Sequence, residues 1–262
     1  AEDRIANALI EDALKQTNYD KNTIIIEISS NNAGVGLAAV AASRGLKIVV
    51  VVTEDTVEEK LNMLELLGAR IIYVGNRIED AVVRAKDFAS KFKSAVIINQ
   101  FDSLVNVETH RNTTAKEIVN VMGNVDYFVS GVGTGGTITG VGEVLKSVNP
   151  LTAVMAVEPW NSSVLSGKQA KSHIILGIGM GFVPSILNME VIDYIFRAKD
   201  NEAVEWARAF AATEGMAVGL SSGAAICASV NLGLAVNDSS KRILMILPSG
   251  AERCASTELF NY

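Results

Sequence analysis

Four glycines and two threonines stand together in Gly131-Val132-Gly133-Thr134-Gly135-Gly136-Thr137, after an apolar run and before a helical one. Glycine lets a backbone come close to a bound group, and the free amides at a helix start favour an anion. Thr134 and Thr137 add hydroxyl donors, so the stretch has the make-up of a phosphate cradle and more glycine than a tight turn needs. It also satisfies Gly-x-Gly-x-x-Gly. Gly34-Val35-Gly36-Leu37-Ala38-Ala39 fits the looser form ending in Ala, with Glu54 20 residues past Gly34 where a ribose-binding acid would stand. Against a dinucleotide site, Ser29-Ser30-Asn31-Asn32 lengthens the first turn beyond what that motif allows. A third stretch, Gly219-Leu220-Ser221-Ser222-Gly223, matches the elbow of a serine hydrolase. That chemistry needs a histidine after the serine, and both histidines, His110 and His173, precede it. They read as ordinary core or loop residues, and no metal-ligand spacing occurs.

The elements that would hold these loops alternate. Thr23–Ile28, Lys47–Val52, Ile71–Val74 and Ala95–Ile98 are short apolar runs rich in β-branched residues, as expected of strands buried on both faces. Helical spacing occupies Gly34–Ser43, Val57–Leu67 and Glu79–Phe92 between them, and a helix is expected near Glu108–Met122. A second series follows with strands Tyr127–Ser130, Ala153–Val157 and Ile243–Leu247 and the helix Ile138–Ser147. Strand–helix alternation implies right-handed crossovers and parallel sheets, with ligands at the carboxyl ends of the strands. The fold class is therefore α/β, two units of twisted, mostly parallel sheets flanked by helices, meeting near residues 100–110. Between Pro159 and Pro184 the pattern dissolves into a long functional loop.

Composition removes other classes. The chain has 262 residues, a net charge of −6 and two cysteines, Cys227 and Cys254. A broad basic face for nucleic acid is not expected, nor a disulfide framework. No apolar run approaches the ~18 residues of a membrane span. A cytoplasmic location is the expectation. Asp3–Thr17 already reads as an amphipathic helix and no initiator Met precedes it, so an upstream segment is expected to be missing.

Taken together, the three glycine-serine stretches resemble the cysteine synthase (O-acetylserine sulfhydrylase) family, which includes cystathionine β-synthase: pyridoxal phosphate enzymes of fold type II, like the tryptophan synthase β chain. The resemblance runs from Asp3 to about Phe260. Asp3-Arg4 is similar to the pair after the family's cofactor lysine, and Ser29-Ser30-Asn31-Asn32-Ala33-Gly34 to its substrate loop. Gln100-Phe101-Asp102, His110, Thr113 and Thr114, Gly133–Thr137, Glu158-Pro159, Val164–Gly167, Gly177–Gly179, Gly181–Pro184, Gly219–Gly223 and Glu252-Arg253 match in order.

The resemblance implies two domains. A smaller one spans 8–106 and carries the substrate loop. A larger one spans 107–262 together with 1–7 and a missing N-terminal segment, and the cofactor lies between the two. It implies a phosphate held by Gly133, Thr134, Gly135, Gly136 and Thr137, a phenolic oxygen held by Asn32 and a ring nitrogen met by the neutral Ser221. Ser29, Ser30, Asn32, Gln100 and Gly179 would bind substrate. The implied reaction is replacement of the acetyl group of O-acetylserine by sulfide, giving cysteine, and the implied assembly is a homodimer.

Three departures bear on activity. The lysine's position is Glu2, so no catalytic lysine is assigned and the cofactor is expected to be held without a covalent link, weakly or not at all. The nearest lysine in the sequence, Lys15, lies ~20 Å further along a helix of 1.5 Å per residue. Asn31 and Ala33 alter the substrate loop, and Met180 enlarges a residue bordering the substrate. The alternative is a non-catalytic regulatory or scaffold protein binding a peptide carboxy-terminus or an amino-acid metabolite in the old cleft.

Overall fold

Strand–helix alternation produces two all-parallel four-stranded sheets in this computed structural model, which describes residues 2–15, 22–29, 31–75 and 78–261. Unit 1 comprises Ala1–Val105 and unit 2 Asn106–Tyr262. The fold class is as expected. The domain boundary differs at the N-terminus: the first residues do not join the larger unit. Helix α1, Glu2–Lys15, buries Ile5, Ala6, Leu9 and Ile10 in one core with Ile25 and Leu37 of unit 1, so its apolar stripe fixes its membership.

In unit 1 the strands are β1 (Ile24–Ile28), β2 (Lys47–Thr53), β3 (Arg70–Val74) and β4 (Ala95–Ile98), in spatial order β3-β2-β1-β4. Helices α1, α2 (Asn32–Ser43) and α3 (Glu58–Leu66) cover one face, and α4 (Ile78–Ser90) packs Ala81, Ala85 and Phe88 on the other. Unit 2 repeats the topology with β5 (Tyr127–Gly131), β6 (Ala153–Pro159), β7 (Tyr194–Ala198) and β8 (Ile243–Met245), in order β7-β6-β5-β8. Helices α6 (Thr114–Met122) and α7 (Gly136–Val148) cover one face, and α8 (Asp200–Glu214) and α9 (Leu220–Val236) the other. In each sheet the chain steps outward twice, then returns to the far side of its first strand. The order therefore reverses between β1 and β4 and again between β5 and β8. Such a switch point leaves a crevice at the carboxyl ends of its two strands.

Parts of the structure depart from the expected pattern. The single helix expected near Glu108–Met122 is two, α5 (Leu104–Asn112) and α6, separated where Thr113 leaves helical geometry at φ −120° and ψ −77°. Strand β7 and helices α8 and α9 are not among the expected elements. In α9 every residue from Leu220 to Ser229 is buried, so no polar face marks it as a helix. Between Pro159 and Pro184 there is no strand or α-helix, as expected of a loop, and the segment is pinned by Glu158. The buried carboxylate of Glu158 accepts the Leu165 amide at 2.8 Å, the Ser166 amide at 3.2 Å and the Ser166 hydroxyl at 2.5 Å.

Candidate functional site

At the unit 2 switch point β5 runs into the glycine cluster. Gly135 is the residue before α7 and has φ +86°, a left-handed conformation that glycine adopts without steric cost, and it puts no capping side chain over the helix start. The first turn of α7 holds no acidic residue. Its amides therefore present positive potential to whatever lies before them. A Cβ on Gly136 would lie 2.0 Å from Asn106 Oδ1, and one on Gly133 2.4 Å from the Gly177 carbonyl oxygen. The backbone is thus packed too closely from behind to accept any other residue.

Helix α5 fixes the two hydroxyls of this loop. Asn106 Nδ2 donates to Thr134 Oγ1 at 3.0 Å, and the Gly136 amide donates to the same oxygen at 3.3 Å. One turn further on, the buried His110 has Nε2 3.1 Å from Thr137 Oγ1 and Nδ1 2.9 Å from Thr114 Oγ1. The histidine read as an ordinary core residue is the strut that orients Thr137. The signal for both supports lay in their spacing, Asn and His four residues apart on one face of a helix.

The segment Gly177–Gly181 forms the adjoining wall. Gly177, Gly179 and Gly181 have φ of +91°, +68° and +86°. The Gly179 amide donates to Val132 O at 3.1 Å, and its carbonyl oxygen lies 3.0 Å from His173 Nε2. A Cβ on Gly177 would lie 4.0 Å from Ser221 Oγ, in the first turn of α9. Gly177 therefore joins the glycine cluster to Ser221: an anion-binding loop on one side, a neutral hydroxyl on the other. This donor set suits a phosphorylated aromatic cofactor, with amides and hydroxyls for the phosphate and no carboxylate in the first turn to repel it.

At the unit 1 switch point the loop after β1 is closed by its own side chains. Ser29 Oγ donates to Asn31 Oδ1 at 2.8 Å and accepts the Gly34 amide at 3.0 Å. Asn31 Oδ1 also accepts the Ala33 amide at 2.9 Å, capping α2. Asn32 is buried as the first residue of α2, and Ser30 lies outside the described residues. Beyond β4, Gln100 is buried and its Nε2 donates to Glu27 Oε1 at 2.7 Å. Glu27 went unremarked in the sequence, although it is the one charged residue within the apolar run Thr23–Ile28. Burial holds its carboxyl well above the ordinary carboxylate range, opposed only by the Gln100 hydrogen bond.

Glu2 opens α1, and Lys15 closes it at the opposite end. Among the described residues no group of three or more His, Cys, Asp or Glu could hold a metal ion, and no helix is long and apolar enough to cross a membrane. Cys227 is buried, and its thiol is pushed up to about 11 by that burial.

Known proteins resemble this chain in sequence and fold. Cysteine synthase B of Campylobacter jejuni is 40% identical over 261 residues, covering 98% of this chain and 86% of the relative. The crystal structure of O-acetyl serine sulfhydrylase isoform 3 from Entamoeba histolytica superposes with a TM-score of 0.93 at 35% identity, over 100% of this chain and 79% of that one. A lysine-to-alanine mutant of O-ureido-L-serine synthase, solved with O-ureido-L-serine bound, gives 0.92 at 32% identity, over 100% and 82%. Residues 1–249 match the family described as pyridoxal-phosphate dependent enzyme. With its glycine cradle and its serine held on either side of Gly177, the chain belongs to the pyridoxal-phosphate dependent enzymes, and within them it is cysteine synthase-like.

Proposed function

We propose that this protein derives from a catalyst of β-replacement, sulfide displacing the acyl group of an O-acylated serine to give cysteine, and that as it stands it is impaired or silent. The observation that carries the reading is the cradle Gly133–Thr137 at the start of α7, braced by Asn106 and His110 and adjoining Ser221 through Gly177. Pyridoxal phosphate, when bound, withdraws electrons from the α-carbon of an amino acid and so eases loss of its α-proton and β-substituent.

The chain's own residues divide the remaining work. The amides of Gly133, Gly135 and Gly136 and the hydroxyls of Thr134 and Thr137 hold the phosphate. Ser221 meets the ring nitrogen as a neutral group, which limits electron withdrawal to what elimination needs. Asn32 holds the phenolic oxygen. Ser29, Ser30 and Gln100 bind the substrate carboxylate, and Gly179 borders the substrate. Glu2 supplies a carboxylate where the family has an amine. It can neither link to an aldehyde nor serve as the amine base for the α-proton, and its charge opposes a substrate carboxylate.

The test is an absorbance spectrum with pyridoxal phosphate before and after borohydride, alongside the intact mass. The expected result is a bound cofactor without covalent mass increase, and one covalently retained cofactor in Glu2→Lys. A mass increase at one site in the unmodified chain would mean another lysine reaches the cofactor and would overturn the impaired reading. No cofactor binding at all would overturn the cradle. A second reading, a regulatory or scaffold protein holding a carboxylate ligand without turnover, draws support from the relative that holds O-ureido-L-serine with a lysine replaced. Calorimetry with free amino acids and carboxy-terminal peptides tests it, and absence of heat with both sinks it.

A further inference from the structure

The carboxyl group of Glu27 has no place in the reaction as derived above. Strand β1 puts it opposite Val50 of β2 and Ile98 of β4, both members of the apolar core under α1 and α2. It is 1% exposed. Oε1 accepts from Gln100, and Oε2 has no hydrogen-bond partner among the described residues. No ion pair among the described residues involves it. An apolar side chain of similar size would fill this space but would take away the acceptor of the buried Gln100 Nε2, so the carboxyl is tied to Gln100 rather than to packing alone.

We propose that Glu27 is a positioning residue, whose buried carboxyl orients the Gln100 amide toward an anionic ligand group held at the loop Ser29–Asn32. The inference rests on the reading of Gln100 as a carboxylate binder. β1 and β4 are neighbours, and Glu27 pairs in register with Ile98, two residues before Gln100, so both side chains lie at the same switch point. A side-chain amide is nearly symmetric in shape and can face its surroundings either way round. The hydrogen bond from Nε2 to Glu27 Oε1 selects one orientation and gives the second N–H a fixed direction. The carboxyl kept protonated by burial does this without placing a negative charge beside the ligand's own.

The test compares N-acetyl-L-serine with N-acetyl-L-serinamide, which differ in the carboxylate and have no free amine to react with an aldehyde. Their dissociation constants are read by NMR titration of the whole chain. A hydrogen bond to a charged group corresponds to about a tenfold preference for the acid, expected in the unmodified protein and in Glu27→Gln, which keeps an acceptor. Glu27→Leu and Gln100→Leu are each expected to lose that preference while binding the amide unchanged. If Glu27→Leu does not fold, Glu27→Asp, with its acceptor drawn back by one methylene, is expected to lower the preference severalfold. Preference retained in both Glu27→Leu and Glu27→Asp, but lost in Gln100→Leu, would overturn the role of Glu27 and leave that of Gln100 standing. Loss in Glu27→Gln as well would assign the effect to general disruption and also overturn it. No preference in the unmodified protein, or none lost in Gln100→Leu, would fail the underlying reading and the inference together.

Discussion

Helices α2 and α7 occupy equivalent places, each following the first strand of a sheet with the same strand order, yet their N-termini are finished in opposite ways. The start of α2 is closed: Asn31 Oδ1 takes the Ala33 amide and Ser29 Oγ takes the Gly34 amide. The start of α7 has glycine where α2 has asparagine, and its threonines are held by Asn106 and His110, with Thr134 Oγ1 also accepting the Gly136 amide at 3.3 Å. The cap residue itself closes the α2 end, whereas the cap residue of α7 contributes no side chain. A shared topology thus supplies only the crevice. What the crevice binds is decided by whether the chain's own side chains occupy the first free amides.

The largest effects are expected on replacing a glycine at each end. Gly136→Ala drives a Cβ into Asn106 and is expected to cost about 3 kcal/mol of stability and to weaken pyridoxal phosphate binding at least about tenfold. Gly34→Ala meets Ser29 Cβ at 3.1 Å and is expected to cost about 1 kcal/mol and to leave that binding intact. Urea unfolding and cofactor absorbance read both. Equal losses at the two ends would erase the distinction.

A second contrast concerns charge. Glu27 binds its proton more tightly folded than unfolded, so its contribution to stability is complete below the ordinary carboxylate range and is lost as pH rises toward its raised folded value. Over that window stability should fall by about 1.4 kcal/mol per pH unit more steeply in the unmodified chain than in Glu27→Gln. Parallel pH profiles for the two proteins would show Glu27 to be ionised as folded. The smallest effect is expected at Asn31→Gly, which removes the cap from α2 for a few tenths of a kcal/mol. It should also strengthen N-acetyl-L-serine binding severalfold by freeing the Ala33 amide, and unchanged affinity would mean that the cap does not compete with a ligand.

Much of this was legible in the residues. The apolar β-branched runs located all of the unit 1 strands, because strands buried on both faces have nothing to alternate with. The glycine cluster and Ser221 stood out by type and spacing, and the fold brings them to one wall around Gly177. What stayed hidden depends on packing across the chain. Strand β7 is an edge with Tyr194 exposed, so its run lacks the continuous apolar character of the inner strands. Helix α9 is buried on every side along its first ten residues and shows no periodic face. The departures at Asn31 and Ala33 were visible as substitutions, but that Asn31 would turn back and cap its own helix is decided by the extended backbone at that residue, φ −122° and ψ −172°.

The return of the last strand to the side of the first also governs how the molecule is made. In unit 1 Ile24 waits for Ala95, 71 positions later, whereas in unit 2 Tyr127 waits for Ile243, 116 positions later. At ribosomal speeds of about 5–20 residues per second the edge of β5 stays open for roughly ten seconds. The strand that leads into the glycine cradle is therefore among the last to gain both neighbours, and the region best suited to hold a cofactor is the one a newly made chain must protect longest from pairing with another copy.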